Sequence, residues 1–161
     1  MKTLIIGLGN PNLYKTVHNI GGDILIYYLL SFENVKKIQN NLYEKDGIFY
    51  YYNPSIMNIS GKNIYEFIKY RNFKNIFVIF DDIRTKLGKY KIEKNDKNYG
   101  HNGIKSIQQY IGDNFYRVRI GVGPKPINID LNTFVLSTIE NSDYKNILNM
   151  KESILKNIYE I

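Results

Sequence analysis

Two histidines are the only side chains in this chain whose ordinary pKa lies near neutrality, and both stand in glycine-flanked His-Asn pairs. They read His18-Asn19-Ile20-Gly21 and Gly100-His101-Asn102-Gly103. Imidazole is the natural base for taking a proton from water near pH 7. A carboxylate on the other ring nitrogen fixes its tautomer and stabilises the imidazolium. Asp81, which with Asp82 ends the apolar run 76–80, is the candidate partner of His18. Asn10 follows an apolar strand (residues 4–6) and the turn Gly7-Leu8-Gly9. An asparagine there projects into the crevice where α/β folds place ligands. Its amide both donates and accepts, which suits reading a peptide backbone. With no cysteine, and no serine in a strand–turn–helix setting, attack by activated water is preferred to a covalent intermediate. Taken singly, His18 also fits a helix-start histidine without chemistry, and Asp81-Asp82 a helix cap or exposed loop.

Composition narrows the classes further. Zero cysteines exclude disulfides and thiolate metal sites, and two histidines far apart in sequence argue against zinc. No apolar stretch approaches the ~20 residues that span a bilayer, and the start lacks the layout of a signal peptide. A cytoplasmic protein is the simplest expectation. The net charge of +7 suits a polyanion, although A·T-rich codon drift toward lysine would raise the charge without any ligand. A dinucleotide fingerprint at Gly7-Leu8-Gly9 would need a third glycine where Asn12 stands, and an acidic strand end where residues 27–30 read Tyr-Tyr-Leu-Leu.

The elements that must carry these residues follow from periodicity. Residues 3–6, 76–80, 89–93 and 117–122 read as strands. Asp46-Gly47 between 41–45 and 48–52 is a two-residue hairpin signal. Helices are expected from Asn19 (Ile20, Ile24, Tyr27 and Tyr28 on one face), over 60–71, over 102–111, and from an N-cap at Ser142 through Ile158. Residues 95–99 form a polar loop expected to be mobile. Strands alternating with helices imply an α/β fold, a mixed sheet covered on both faces, without a domain boundary.

In order, Gly7-Leu8-Gly9-Asn10-Pro11, Tyr14, His18-Asn19, Met57-Asn58-Ile59-Ser60-Gly61, Asp81-Asp82, Gly100-His101-Asn102-Gly103, Lys105-Ser106-Ile107 and the run from Arg117 to Pro124 resemble the bacterial-type peptidyl-tRNA hydrolases over nearly the whole chain. The resemblance implies one domain over residues 1–161 that hydrolyses the ester of peptidyl-tRNA released from stalled ribosomes, recycling the tRNA. It makes His18 the general base, Asp81 its orienting partner, and Asn10 the reader of the peptide that separates peptidyl- from aminoacyl-tRNA. Tyr14, Asn58 and Asn102 would hold the tRNA 3′ end and ester, Lys105 would bind tRNA, and Arg119 would meet acceptor-stem phosphates. Asn58 and Asn102 also fit simple helix caps, and His101 is given a structural role. A monomer without metal, cofactor or membrane contact is implied. RNA-binding relatives that do not rely on hydrolysis are the alternative, but a binding module has no need for a base and its orienter.

Departures from the family pattern are local. The segment from Asn10 to His18 is short, Asn12 stands for a glycine, Val17 for an arginine and Ile56 for an aromatic residue. Arg84-Thr85-Lys86 replaces an acidic, proline-bearing stretch. Glu93 occupies a position that is typically basic and is expected to weaken tRNA docking, unless Lys91 or Lys94 neutralises it.

Overall fold

The structure, a computed structural model, describes residues 2–10, 14–53 and 57–161. Pro11, Asn12 and Ile56 lie outside the described residues. Strand β1 (Lys2–Gly7) leads through a short 3-10 turn (Val17–Asn19) into helix α1 (Ile20–Leu30). Strands β2 (Lys36–Gln39), β3 (Leu42–Lys45) and β4 (Ile48–Tyr52) precede helix α2 (Ser60–Ile68). Strand β5 (Phe73–Lys86), β6 (Tyr90–Glu93), helix α3 (Asn102–Ile111) and β7 (Tyr116–Gly123) follow. Three helices end the chain: α4 (Leu131–Val135), α5 (Asn141–Leu148) and α6 (Lys151–Tyr159).

The seven strands form one sheet in the order β2-β3-β4-β1-β5-β7-β6. Strand β1 runs parallel to β4 and β5, and β5 parallel to β7, while both edges are antiparallel. The expected mixed α/β sheet is therefore the observed one. Period-two alternation gives the inner strands two apolar faces. Ile5, Phe77, Ile79, Val118 and Ile120 pack on α1, α5 and α6. Leu4, Ile6, Val78 and Phe80 pack on α2 and α3. Asp46 and Gly47 both take positive φ (52° and 82°), as the hairpin between β3 and β4 requires.

Four elements differ from the sequence reading. The single last helix is two, broken at Asn149 and Met150, and Ser142 lies inside α5 with its hydroxyl on Glu140. Strand β2 and helix α4 were not foreseen. Strand β5 runs well past Phe80, because Asp81 and Asp82 are buried in the sheet rather than capping a helix or lying in a loop.

Glycines bring the helices close. A Cβ at Gly21 would sit 2.0 Å from the Ile79 carbonyl oxygen, so only glycine lets the start of α1 press against β5. Gly61 does the same between α2 and α3, where a Cβ would lie 2.0 Å from Ser106 O and the Ser106 hydroxyl accepts the Gly61 N–H at 2.9 Å. Helix propensity alone predicts that Gly61→Ala stabilises by about 0.5–1 kcal/mol. Overpacking predicts a net loss of about 1–3 kcal/mol instead. Urea denaturation should show the loss, and a raised midpoint would contradict this packing.

Candidate active site

Helix α1 and helix α3 lie on opposite faces of the sheet, so the crevice beyond the strand ends is where their N-termini converge on β5. His18 comes from the turn before α1, His101 from the start of α3, and Asp81 from β5 between them. His18 Nδ1 lies 2.8 Å from Asp81 Oδ2, and His101 Nε2 lies 2.9 Å from Asp81 Oδ1. The two imidazole rings sit 4.7 Å apart. Asp81 is 3 % exposed and accepts from both.

The protons on this trio follow from one backbone contact. His101 is the N-cap of α3, and its Nδ1 accepts the N–H groups of Gly103 (3.0 Å) and Ile104 (3.3 Å). An accepting Nδ1 places the ring proton on Nε2, which donates to Asp81 Oδ1. Asp81, held well below the usual carboxylate range, is ionised and accepts from His18 Nδ1–H as well. Burial alone would push Asp81 up, but the two imidazoles outweigh it. For His18, burial pulls the pKa down, and the charge and hydrogen bond of Asp81 more than offset it, so the net shift is upward. His18 Nε2 is left as the ring's lone-pair nitrogen, in a cleft that the ring lines.

His18, Asp81 and His101 also form a cluster whose ligand atoms lie within 4.8 Å of one another. The donor set does not fit a metal ion. Metal on His101 Nε2 would displace the ring proton while two N–H donors face Nδ1, which would demand an imidazolate. His101, read from sequence as structural, thus both caps α3 and orients Asp81. Its position immediately before the apolar period Ile104, Ile107 and Ile111 is the sequence signal for a cap.

The short segment ahead of His18 is held from two sides. Val17 N–H donates to Ser137 O, Ile139 N–H to Lys15 O, and Thr16 bridges Thr138. From below, buried Asp23 accepts the Lys15 N–H (3.1 Å), the Asn19 amide (2.7 Å) and the Tyr144 hydroxyl (2.9 Å). Asn19 in turn accepts the Tyr52 hydroxyl at 2.7 Å and fills the space that only Gly9 leaves open. Burial pushes Asp23 up to about 6, against hydrogen bonds that favour its charge.

One cleft is lined by His18, Asp81, Asn102, Arg84 and the apolar Ile83 and Leu131. An adjoining polar groove is lined by Asn58, Asn102, Lys105, Ser106 and Gln109. Asn102 belongs to both. Neither asparagine is the cap allowed for in sequence: His101 caps α3, and the residue before α2 is Ile59, which makes no side-chain cap. Tyr14 is 58 % exposed and bonded to the Tyr27 hydroxyl, beside Tyr144, rather than in the cleft lining. Asn10 is half-buried three residues beyond β1.

Arg119 departs from expectation. Instead of facing phosphates it is 7 % exposed, its Nε donating to Asp82 (2.8 Å) and its Nη1 to Glu93 (3.1 Å), with its plane 3.9 Å from the centre of the Tyr99 ring. Glu93 neutralises Arg119 rather than Lys91 or Lys94, and also accepts the Tyr99 hydroxyl at 2.6 Å. Fully buried Arg117 donates to Lys97 O at 2.7 Å, and Gln108 donates to Asp96 O at 2.7 Å. The 95–99 loop expected to be mobile is therefore tied at several points, which sets the approach to His101.

The chain matches the family model described as peptidyl-tRNA hydrolase over residues 4–161. It is 36 % identical to a peptidyl-tRNA hydrolase of Rickettsia typhi, across 96 % of this chain and 90 % of that one. A Fervidobacterium nodosum peptidyl-tRNA hydrolase is 40 % identical, across 88 % and 79 %. The chain belongs to the peptidyl-tRNA hydrolase family. It is an enzyme of peptidyl-tRNA ester hydrolysis, with tRNA as part of its substrate. Among solved structures, an Acinetobacter baumannii peptidyl-tRNA hydrolase shares the fold, with a TM-score of 0.81 at 22 % identity over 98 % of this chain and 90 % of that one. No helix among the described residues is long and apolar enough to cross a membrane.

Two outcomes follow from this frame. Because the folded pKa of Asp23 is raised, its contribution to stability is complete below the unfolded value near 4 and is lost as pH rises through about 6. Between pH 4 and pH 7, unfolding free energies of wild type should fall relative to Asp23→Asn by on the order of 2–3 kcal/mol. A difference that is flat with pH would place the titration elsewhere. Glu93→Lys, which sets a second cation against Arg119, should lower stability by roughly 1–3 kcal/mol. Tighter tRNA binding at unchanged stability would restore the footprint reading of Glu93 and Arg119.

Proposed function

We propose that His18 is the general base of the hydrolysis and Asp81 its orienting partner. The observation that carries this reading is the 2.8 Å bond from His18 Nδ1 to a buried carboxylate, which leaves Nε2 to the cleft. Water bound at Nε2 attacks the ester carbonyl carbon and gives its proton to His18. The imidazolium is stabilised by Asp81 and returns the proton to the leaving ribose oxygen, so that peptide acid and free tRNA separate. Asn10 reads the peptide backbone. Asn102, at the junction of cleft and groove, holds the ester and the RNA end, with Asn58 and Lys105 along the groove. The enzyme works as a cytoplasmic monomer without a metal ion.

His101 gives Asp81→Asn a specific consequence. The Nε2–H of His101 needs an acceptor, so the new amide must turn its oxygen to His101 and its NH2 toward His18. His18 is then driven into the tautomer protonated on Nε2, and the lone pair leaves the cleft. The rate should fall about 10⁴-fold, as for other bases held in the wrong tautomer. His18→Ala should lose about 10²–10⁴-fold. Turnover of N-acetylaminoacyl-tRNA by either variant at the wild-type rate would remove these residues from the mechanism.

The pH dependence carries a sign. A base acts when neutral, and the His18 pKa lies above its ordinary 6.5. kcat/KM should therefore climb with pH and reach half its plateau above pH 6.5. A half-plateau below that value would contradict the ion pair. Asn10→Ala should slow N-blocked substrates more than free aminoacyl-tRNA, and equal losses would refute a discriminating role.

A further inference from the structure

Among the described residues, the cleft lining holds one permanent cation, Arg84, that the reaction does not use. Asp82 fixes the backbone at this point of β5, because its Oδ1 accepts the Arg84 N–H at 3.0 Å and its Oδ2 accepts the Thr85 hydroxyl at 2.6 Å. The pairing of β5 with β7 shifts register between Asp82 and Lys86, and Arg84 projects from that irregularity into the cleft lining. One guanidinium nitrogen lies beside Gly100, 3.8 Å from where a Cβ would stand.

Among the described residues, no carboxylate pairs with the Arg84 guanidinium. The one carboxylate among the described residues of the cleft lining is Asp81, whose oxygens are taken by two imidazoles. The walls beside Arg84 are apolar: Ile83, Leu131 and Val135. A short aliphatic stem ending in an anion suits such a wall capped by a cation. The polar groove that suits RNA lies on the other side of Asn102, with Asn58, Lys105 and Gln109.

We infer that Arg84 is a specificity-determining residue that recognises a carboxylate on the acyl group, favouring peptides with an acidic side chain at the esterified residue. This rests on the cleft being the acyl site of the hydrolysis proposed above. The guanidinium donates to the carboxylate while the reacting carbonyl lies at His18, so Arg84 touches substrate without moving a proton of the reaction.

The test uses one tRNA body esterified with either N-acetylglutamate or N-acetylglutamine, two acyl groups of equal shape that differ in charge. Wild type should favour the glutamate ester in kcat/KM by roughly threefold to tenfold at low salt, the scale of a partly exposed charge pair. Arg84→Gln should bring the ratio to about one, and Arg84→Glu should invert it by a similar factor. Three results would overturn the inference. A ratio unchanged across the variants would do so. An equal fall on both substrates would show that Arg84 meets RNA phosphate instead. Failure of the wild type to hydrolyse either ester would remove the acyl-site reading itself, and Arg84's role with it.

Discussion

A single buried carboxylate holding two imidazoles is the constraint on which the rest of this structure depends. Asp81 is stable as an anion inside the sheet because both of its oxygens receive N–H donors from opposite layers of the fold. Each donor has a structural reason to be where it is. Gly21 lets the start of α1 close on β5, which delivers His18. The backbone of α3 takes the Nδ1 of His101 as its cap, which turns Nε2 to Asp81. Loss of any one of these would leave a buried charge short of a partner, at a cost of several kcal/mol.

The same logic repeats one residue along and one layer away. Asp82 is satisfied by Arg119, Thr85 and the Arg84 N–H, and Arg119 passes the connection to Glu93 and Tyr99. Tyr99 takes a positive φ of 55° just before Gly100 and His101. On the far side, Asp23 and Asn19 tie the His18 turn to Tyr52, Tyr144 and the Gly9 turn. The reactive pair thus sits between two polar networks that leave it little freedom. This is how the segment ahead of His18 brings the ring to Asp81.

Much of this was legible in the sequence where local chemistry decides local structure. Asp46-Gly47 dictated its hairpin, and Ile104, Ile107 and Ile111 gave the extent of α3. His18 and Asp81 were legible as a pair because base and carboxylate are complementary residue types, one just ahead of a helix and the other just after an apolar strand run. What was not legible depends on contacts distant in the chain. Arg119, alternating with Val118 and Ile120, reads as an exposed basic residue until Asp82 and Glu93 are seen closing on it. The continuation of β5 through two aspartates is invisible without the histidines and arginine that satisfy them. The break at Asn149 and Met150 lies in a pattern whose apolar positions continue in phase, so periodicity alone joins α5 and α6.

The central claim is a tautomer assignment, and ring-nitrogen NMR reads it directly. With the two histidines labelled with ¹⁵N, spectra above the His18 pKa should show His18 protonated on Nδ1 and His101 protonated on Nε2, both neutral and each locked in one form. A His18 ring protonated on Nε2, or exchanging freely between tautomers, would contradict the role assigned to Asp81 and the chemistry built on it.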